Sequence, residues 1–294
     1  MSNVLVVDVG TQSMRGIVFD DKGNLLVKKQ VKYKPYLSKE NGYMEQDPDM
    51  YWEVFCSITK AIAEERPDLM DSVLALSVDT FRDTVVLLDE HNKPVRNAIL
   101  WSDQRTADTS DPLPLKQRFL FKLVGMDRPI RAIRSKVKTR WVMQNEPEVW
   151  ARVRRVVHIS AYLNYRITGK LIDCYSSSMG HIPFDNKGKK WFTKHSLLYP
   201  VFDVPLEYAN ITLCAPGDVM GEVSEQVAAQ TGLPVGLKLI ASGSDKGCET
   251  LGVGCLQRNV ASISFGTSSS VQFSTNRYFE PEPFMPAYPA VMKG

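Results

Sequence analysis

Cysteine is scarce and scattered in this 294-residue chain: Cys56, Cys174, Cys214, Cys248 and Cys255 show no C-x-x-C spacing. That pattern excludes a disulfide framework and a zinc ribbon, and leaves reduced core or surface thiols. Histidine is scarcer still, and His91, His158, His181 and His195 are too dispersed for a metal cluster. An excess of one charge is also lacking, since 36 Lys plus Arg stand against 33 Asp plus Glu, a net charge of +3. So small a balance gives no reason to expect nucleic-acid binding. The basic stretch from Arg128 to Arg140 has little aromatic interleaving and reads as a solvated helix face. No apolar run approaches the roughly 20 residues that span a bilayer. The opening Met1-Ser2-Asn3-Val4 carries no cationic stretch ahead of its apolar residues. A soluble, cytoplasmic protein without a membrane partner is expected. The chain also lacks a solenoid repeat and a G-x-x-x-x-G-K-[ST] phosphate loop.

What is present is ordinary globular composition, 44% hydrophobic and 23% charged, in a chain long enough for one large or two ordinary domains. Val4 to Val9, Met14 to Phe19 and Leu25 to Tyr33 read as strands separated by turn signals, which predicts an opening β-meander. Asp47-Pro48 supplies an N-cap and a first-turn proline, and Tyr51, Phe55, Ile58 and Ile62 then recur at helical spacing up to Pro67. Val73 to Val78 and Thr84 to Leu88 are strand-like. From Leu113 to Thr168 the pattern turns helical, and Glu222 to Thr231 reads as a further short helix. Lys238 to Ala241, Val260 to Phe265 and Ser270 to Phe273 read as strands, and the proline-rich stretch from Tyr278 to Gly294 as loop. Sheet first and helices after is an α/β layer plan.

One pattern occurs twice: a strand, a glycine-hydroxyl turn, then another strand, at Gly10-Thr11-Gln12-Ser13 and at Gly266-Thr267-Ser268. Such turns aim backbone N–H groups and hydroxyls at one point and can hold phosphate without a Walker lysine. Alone, either is a weak signal; two facing each other across a cleft would clamp one nucleotide. Asp8 ends the strand before the first turn and could hold Mg²⁺, with Arg15 on the outgoing strand adding positive charge. Asp245, in Ser242-Gly243-Ser244-Asp245-Lys246, is the best candidate for a general base, its bland alternative being a helix cap. Arg82-Asp83 offers a donor fork beside an acceptor pair, suited to vicinal hydroxyls, although on spacing alone a surface ion pair is the slightly favoured reading. Trp101, with Asp103 two residues on, supplies an aromatic wall beside polar groups, the usual make-up of a sugar site.

These motifs together resemble the FGGY family of carbohydrate kinases, the group that includes glycerol kinase and xylulokinase. The likeness runs through Asp8-Val9-Gly10-Thr11-Gln12-Ser13-Met14-Arg15, Glu45-Gln46-Asp47-Pro48, Arg82-Asp83-Thr84-Val85-Val86-Leu87-Leu88-Asp89, Ala98-Ile99-Leu100-Trp101-Ser102-Asp103-Gln104-Arg105, Tyr162 to Gly169, Gly221-Glu222-Val223, Thr231-Gly232-Leu233-Pro234 and Gly243-Ser244-Asp245. It implies a ribonuclease H-like fold of the actin and hexokinase type, a mixed sheet flanked by helices, followed by the start of a second similar domain. Residues 1–243 would form the N-terminal sugar-binding domain and 244–294 the beginning of a nucleotide-binding domain, so the chain would be a piece of a longer kinase and inactive by itself. The cofactors implied are ATP and Mg²⁺, and the small-molecule partner is a sugar or polyol.

By the same resemblance Asp245 would be the catalytic base and would also contact substrate and metal, with Asp8 near Mg²⁺. Gly10, Thr11, Gln12, Ser13 and Arg15 would line one phosphate loop; Gly266, Thr267 and Ser268 would line the other. Arg82, Asp83, Trp101 and Asp103 would meet the substrate. Arg82-Asp83 matches the Arg-Glu pair of glycerol kinases, Asp replacing Glu, where xylulokinases carry Met-His, and this favours a polyol or open-chain acceptor. Two segments depart from the family pattern: Lys138-Thr139-Arg140-Trp141, with polar Thr139 at an apolar position, and Gly180-His181-Ile182-Pro183-Phe184. A catalytically silent sugar-binding or regulatory module is the alternative reading. An actin-like assembly ATPase would share the phosphate turns without needing Arg82-Asp83 or Trp101. The oligomeric state is left open, a homodimer being one option.

Overall fold

In the opening segment Leu5, Val7 and Val9 alternate with less buried neighbours, which gives strand β1 (Asn3–Val9) one core-facing side. The computed structural model of the chain describes residues 2–265, 269–282 and 285–293. Gly10–Gln12 reverses β1 into antiparallel β2 (Ser13–Phe19), and a turn with Gly23 at φ +81° leads into antiparallel β3 (Leu25–Lys32). The expected meander is therefore present.

After the short β4 (Glu45–Gln46), Asp47 caps α1 (Pro48–Glu65), its carboxylate accepting the Asp49 N–H at 2.9 Å. Tyr51, Phe55, Ile58 and Ile62 form the buried stripe that their spacing predicts. The helix crosses β2 at Gly16, where any Cβ would run into the Ile58 and Ile62 side chains. Pro67 opens α2 (Pro67–Asp71), and β5 (Val73–Thr80) then runs parallel to β1.

β6 (Val85–Leu88) and β7 (Ala98–Ile99) belong to another sheet. The helical region is less uniform than the sequence suggests. It contains α3 (Leu115–Leu123), α4 (Asp127–Ser135), α5 (Lys138–Asn145), α6 (Pro147–Arg152) and α7 (Ile159–Thr168), with strand β8 (Arg155–His158) between the last two. Val156 and Val157 of β8 are buried against β6, and this tertiary pairing overrides the helical pattern around them. Order β4-β7-β6-β8 completes a four-stranded sheet. The basic stretch is also corrected: Arg128, Arg131 and Lys136 are solvated, but Arg134, Lys138 and Arg140 are buried. Asp111 pairs with both Arg134 and Arg140, so these cations tie the loop at 111 to the helices.

Six short elements follow: β9 (Ile172–Cys174), β10 (Phe184–Asp185), β11 (Lys190–Trp191), α8 (Tyr199–Phe202), α9 (Leu206–Ala209) and β12 (Thr212–Cys214). The expected helix at 222 begins later, because Val219–Glu222 is strand β13 and Ser224 caps α10 (Glu225–Thr231) by accepting the Val227 N–H at 3.3 Å. Last come β14 (Lys238–Ile240), α11 (Asp245–Gly252), and the β15 (Ala261–Ser264) and β16 (Ser270–Phe273) hairpin, a separate two-stranded sheet.

The main sheet has the order β13-β14-β5-β1-β2-β3. Its centre, β14, β5 and β1, is parallel, and both flanks are antiparallel. Residues from α1 and α7, including Phe55, Ile58, Tyr162 and Leu163, join one core with Leu5, Leu76 and Leu239. A mixed sheet flanked by helices is the architecture the sequence motifs imply. Among the described residues no helix is long and apolar enough to cross a membrane.

Candidate active site

Three adjacent parallel strands, β14, β5 and β1, end at one edge of the sheet; β1 and β5 each carry a carboxylate there, and the loop after β14 leads to a third at the start of α11. Asp8 on β1 and Asp79 on β5 are register partners. One step further, Thr80 bridges to Ser244, which caps α11 and precedes Asp245. The carboxylates feel one another: burial, and then the charges of Asp8 and Asp245, push Asp79 up to about 7. Asp8 and Asp245 thus share a crevice. Burial also raises Asp245, opposed by the Lys246 N–H on its Oδ1 at 2.7 Å and by the Arg82 charge. Asp79 is the member of this group that the sequence reading did not name. The available signal was its position at the end of a β-rich run, the same place that Asp8 holds.

The Gly10–Gln12 turn, expected to hold phosphate, directly follows β1 and Asp8. Gly10 N–H donates to the Ser13 carbonyl at 3.0 Å, Tyr33 O–H donates to the Gly10 carbonyl, and the Trp101 indole N–H donates to Thr11 Oγ1 at 3.1 Å. Gln12 is exposed at the tip, and Arg15 pairs with Asp8. Ser13 is buried, and its Oγ accepts the Gln30 amide N–H at 2.9 Å, which ties the start of β2 to β3. Gly266, Thr267 and Ser268, expected to form the second turn, lie outside the described residues.

On the acceptor side Arg82 is partly exposed. Asp83 is not free to meet a ligand, which corrects its expected role as a hydroxyl acceptor. Its Oδ1 accepts the His181 backbone N–H at 2.9 Å, while Oδ2 lies 2.8 Å from His181 Nδ1 and 2.9 Å from Lys138 Nζ. Burial would raise this carboxyl, but Lys138 and His181 hold it well below the usual carboxylate range. The backbone is shaped around the arrangement: Asp83 sits at φ 56°, and Gly180 at φ +140° packs where a Cβ would strike the Asp83 carboxylate. Both segments that depart from the family pattern thus meet at Asp83. Trp101, 46% exposed, is open to a ligand. Asp103 is not: it accepts the Met44 N–H at 2.6 Å and forks with Arg105, so the expected substrate contact is a structural anchor.

The crevice fits a divalent cation. Asp79 Oδ1 is buried without a hydrogen-bond partner, and two further carboxylates, Asp8 (paired with Arg15) and Asp245, act on it electrostatically. Among the described residues no three His, Cys, Asp or Glu side chains converge to enclose an ion unaided.

A family model described as the FGGY family of carbohydrate kinases, N-terminal domain, matches residues 3–252. Xylulose kinase of Lactococcus lactis is 32% identical over 279 residues, covering 92% of this chain and 53% of that protein. Glycerol kinase of a Janthinobacterium species is 24% identical over 280 residues, covering 94% and 54% respectively. The solved xylulose kinase of Lactobacillus acidophilus superposes with a TM-score of 0.79 at 19% identity, over 99% of this chain and 58% of its own. The chain spans about half the length of the curated relatives it matches.

Proposed function

The chain belongs to the FGGY family of carbohydrate kinases, and from that premise we propose that the protein phosphorylates a hydroxyl of a small sugar or polyol with ATP. This chain would supply the acceptor pocket, one phosphate turn and the general base. The observation that carries the reading is the meeting of Asp8 on β1, Asp79 on β5 and Asp245 at the start of α11, near the Gly10–Gln12 turn and Arg82.

Asp245 takes the proton from the acceptor hydroxyl. Lys246 N–H engages Oδ1, which leaves Oδ2 for that proton, and burial makes the carboxylate a stronger base than one in water. Arg82 donates to neighbouring hydroxyls, and the Trp101 face packs against the carbon chain. Thr11, fixed by the Trp101 indole N–H, and the amides of Gly10–Gln12 orient phosphate oxygens, while Arg15 offsets their charge. Mg²⁺, held by Asp8 with Asp245 nearby, would neutralise phosphate charge. Most of the acceleration then comes from positioning and charge stabilisation, as in phosphoryl transfer generally. Residues 244–294 would open the nucleotide-binding half of the kinase. The β15–β16 hairpin, outside both larger sheets and exposing Val271 and Phe273, supports that division.

The test has two arms: calorimetric titration of this chain with xylulose, glycerol and gluconate, and coupled ADP release by the whole protein with each of them. Binding together with ADP release is expected. Binding without ADP release would instead support a silent sugar-binding module, and nucleotide-driven polymers in sedimentation would support an assembly ATPase.

A further inference from the structure

Residues 285–293 have no regular secondary structure, yet they contact the rest of the chain at four points. The Tyr288 ring covers the Arg82 guanidinium, 4.7 Å from carbon to centroid. Ser176 Oγ donates to the Ala290 carbonyl at 2.6 Å, and Lys293 pairs with Asp218 at 2.6 Å. The fourth point is Val291, which packs against Gly243 and Gly247, the two glycines that bracket Asp245.

Those two glycines are informative. Neither adopts a positive φ, so no backbone conformation calls for glycine at either position. A methyl group at each would collide with Val291. The loop carrying Asp245 therefore packs closely against this segment, which brings Tyr288 to Arg82. The far side of the turn is matched as well: Ser176, whose hydroxyl holds Ala290, accepts the Ser244 N–H through its carbonyl at 3.1 Å.

We propose that Tyr288 is a positioning residue of the acceptor site, holding the Arg82 guanidinium flat so that its N–H edge meets vicinal hydroxyls of the acceptor. An unsupported arginine samples many rotamers; stacking on an aromatic face removes that freedom before the ligand arrives. Tyr288 is 52% exposed, so it can hold Arg82 and still border the ligand. The inference rests on the kinase reading above and adds to it a residue from the far end of the chain.

The experiment is calorimetry on this chain, wild type and variants, with xylulose, glycerol and gluconate as probes. Tyr288→Ala should weaken binding of the preferred probe about 5- to 10-fold, and Tyr288→Phe should stay within about 2-fold because its π face remains. Tyr288→Leu, which keeps apolar bulk without that face, should behave like alanine. In an Arg82→Ala background, Tyr288→Ala should cause no further loss, a result that a merely structural role would not give. The thermal midpoint should not move in the Tyr288 variants. Wild-type affinity in Tyr288→Ala, or the same fold loss with Arg82 absent, overturns the inference alone. A wild-type chain that binds none of the three probes overturns the kinase reading and this inference together.

Discussion

Asp8 and Asp79 occupy the same rung of the parallel β1–β5 pair, so two carboxylates meet at the sheet edge with Asp245 completing the group. The electrostatic consequence is measurable. Folded Asp79 titrates at about 7 against 3.8 for the free side chain. Between those values the folded chain holds a proton that the unfolded chain has released. The stabilisation from that proton is complete below 3.8 and fades as pH rises through about 7. His158 acts in the opposite sense, because burial pushes it down to about 4, so its cost to the fold grows as pH falls below 6.5. The wild-type profile is blunted by the two together, and Asp173, raised by burial to about 7, adds to the Asp79 trend. Asp79→Asn isolates one group: urea unfolding should show wild type losing stability relative to the variant from pH 4 to pH 8. Parallel profiles would refute the raised Asp79 carboxyl and the burial that causes it.

Removing the base should separate chemistry from binding. Asp245→Asn keeps the shape of the side chain and its hydrogen bond with the Lys246 N–H but cannot take a proton. ADP release by the whole protein should fall about 10²- to 10⁴-fold. Sugar affinity of this chain, read by calorimetry, should stay within about threefold, since Asp245 supplies only one of several polar contacts. Near-normal turnover would remove the assignment.

Some of this was readable from the sequence, for local reasons. The meander and α1 depend on alternation, turn residues, a cap and a 3.6-residue stripe, all of which lie within a few positions of one another. Asp8, Arg15 and Asp245 were legible because they flank such elements. Other features depend on distant partners. β8 is a strand only because β6 lies beside it, and Asp79 matters only because the register sets it against Asp8. Asp103 looked like a ligand contact because nothing nearby in sequence announces the Met44 N–H that it accepts. Asp83 was misread for the same reason, its partners Lys138 and His181 being 55 and 98 positions away. Tyr288 sits in a proline-rich loop without a period, where sequence patterns carry no signal.

Gly180 should tolerate no side chain. Its φ of +140° is strained for an L residue, and the Cβ of alanine would enter the Asp83 carboxylate. Gly180→Ala is expected to cost about 2 kcal/mol or more in urea unfolding, combining backbone strain with the lost His181 N–H contact. Sugar affinity should fall with it, because Asp83 adjoins Arg82 in the chain. An alanine variant of wild-type stability would show that this close approach is dispensable.

Lys138 offers the sharpest test of the Asp83 anchor. Its side chain is only 6% exposed, and its ammonium bonds both the Asp83 carbonyl and Oδ2. Lys138→Met keeps most of the volume but leaves the carboxylate facing His181 alone. Breaking a buried pair in this way costs about 3–5 kcal/mol, most of it the penalty for an uncompensated charge. Asp83→Asn removes that charge, so the double variant should recover part of the loss, with a coupling of about 1–3 kcal/mol in a denaturant double-mutant cycle. Strict additivity would mean that lysine and aspartate act independently, and the 82–83 turn would then owe its conformation to Gly180 and His181 instead.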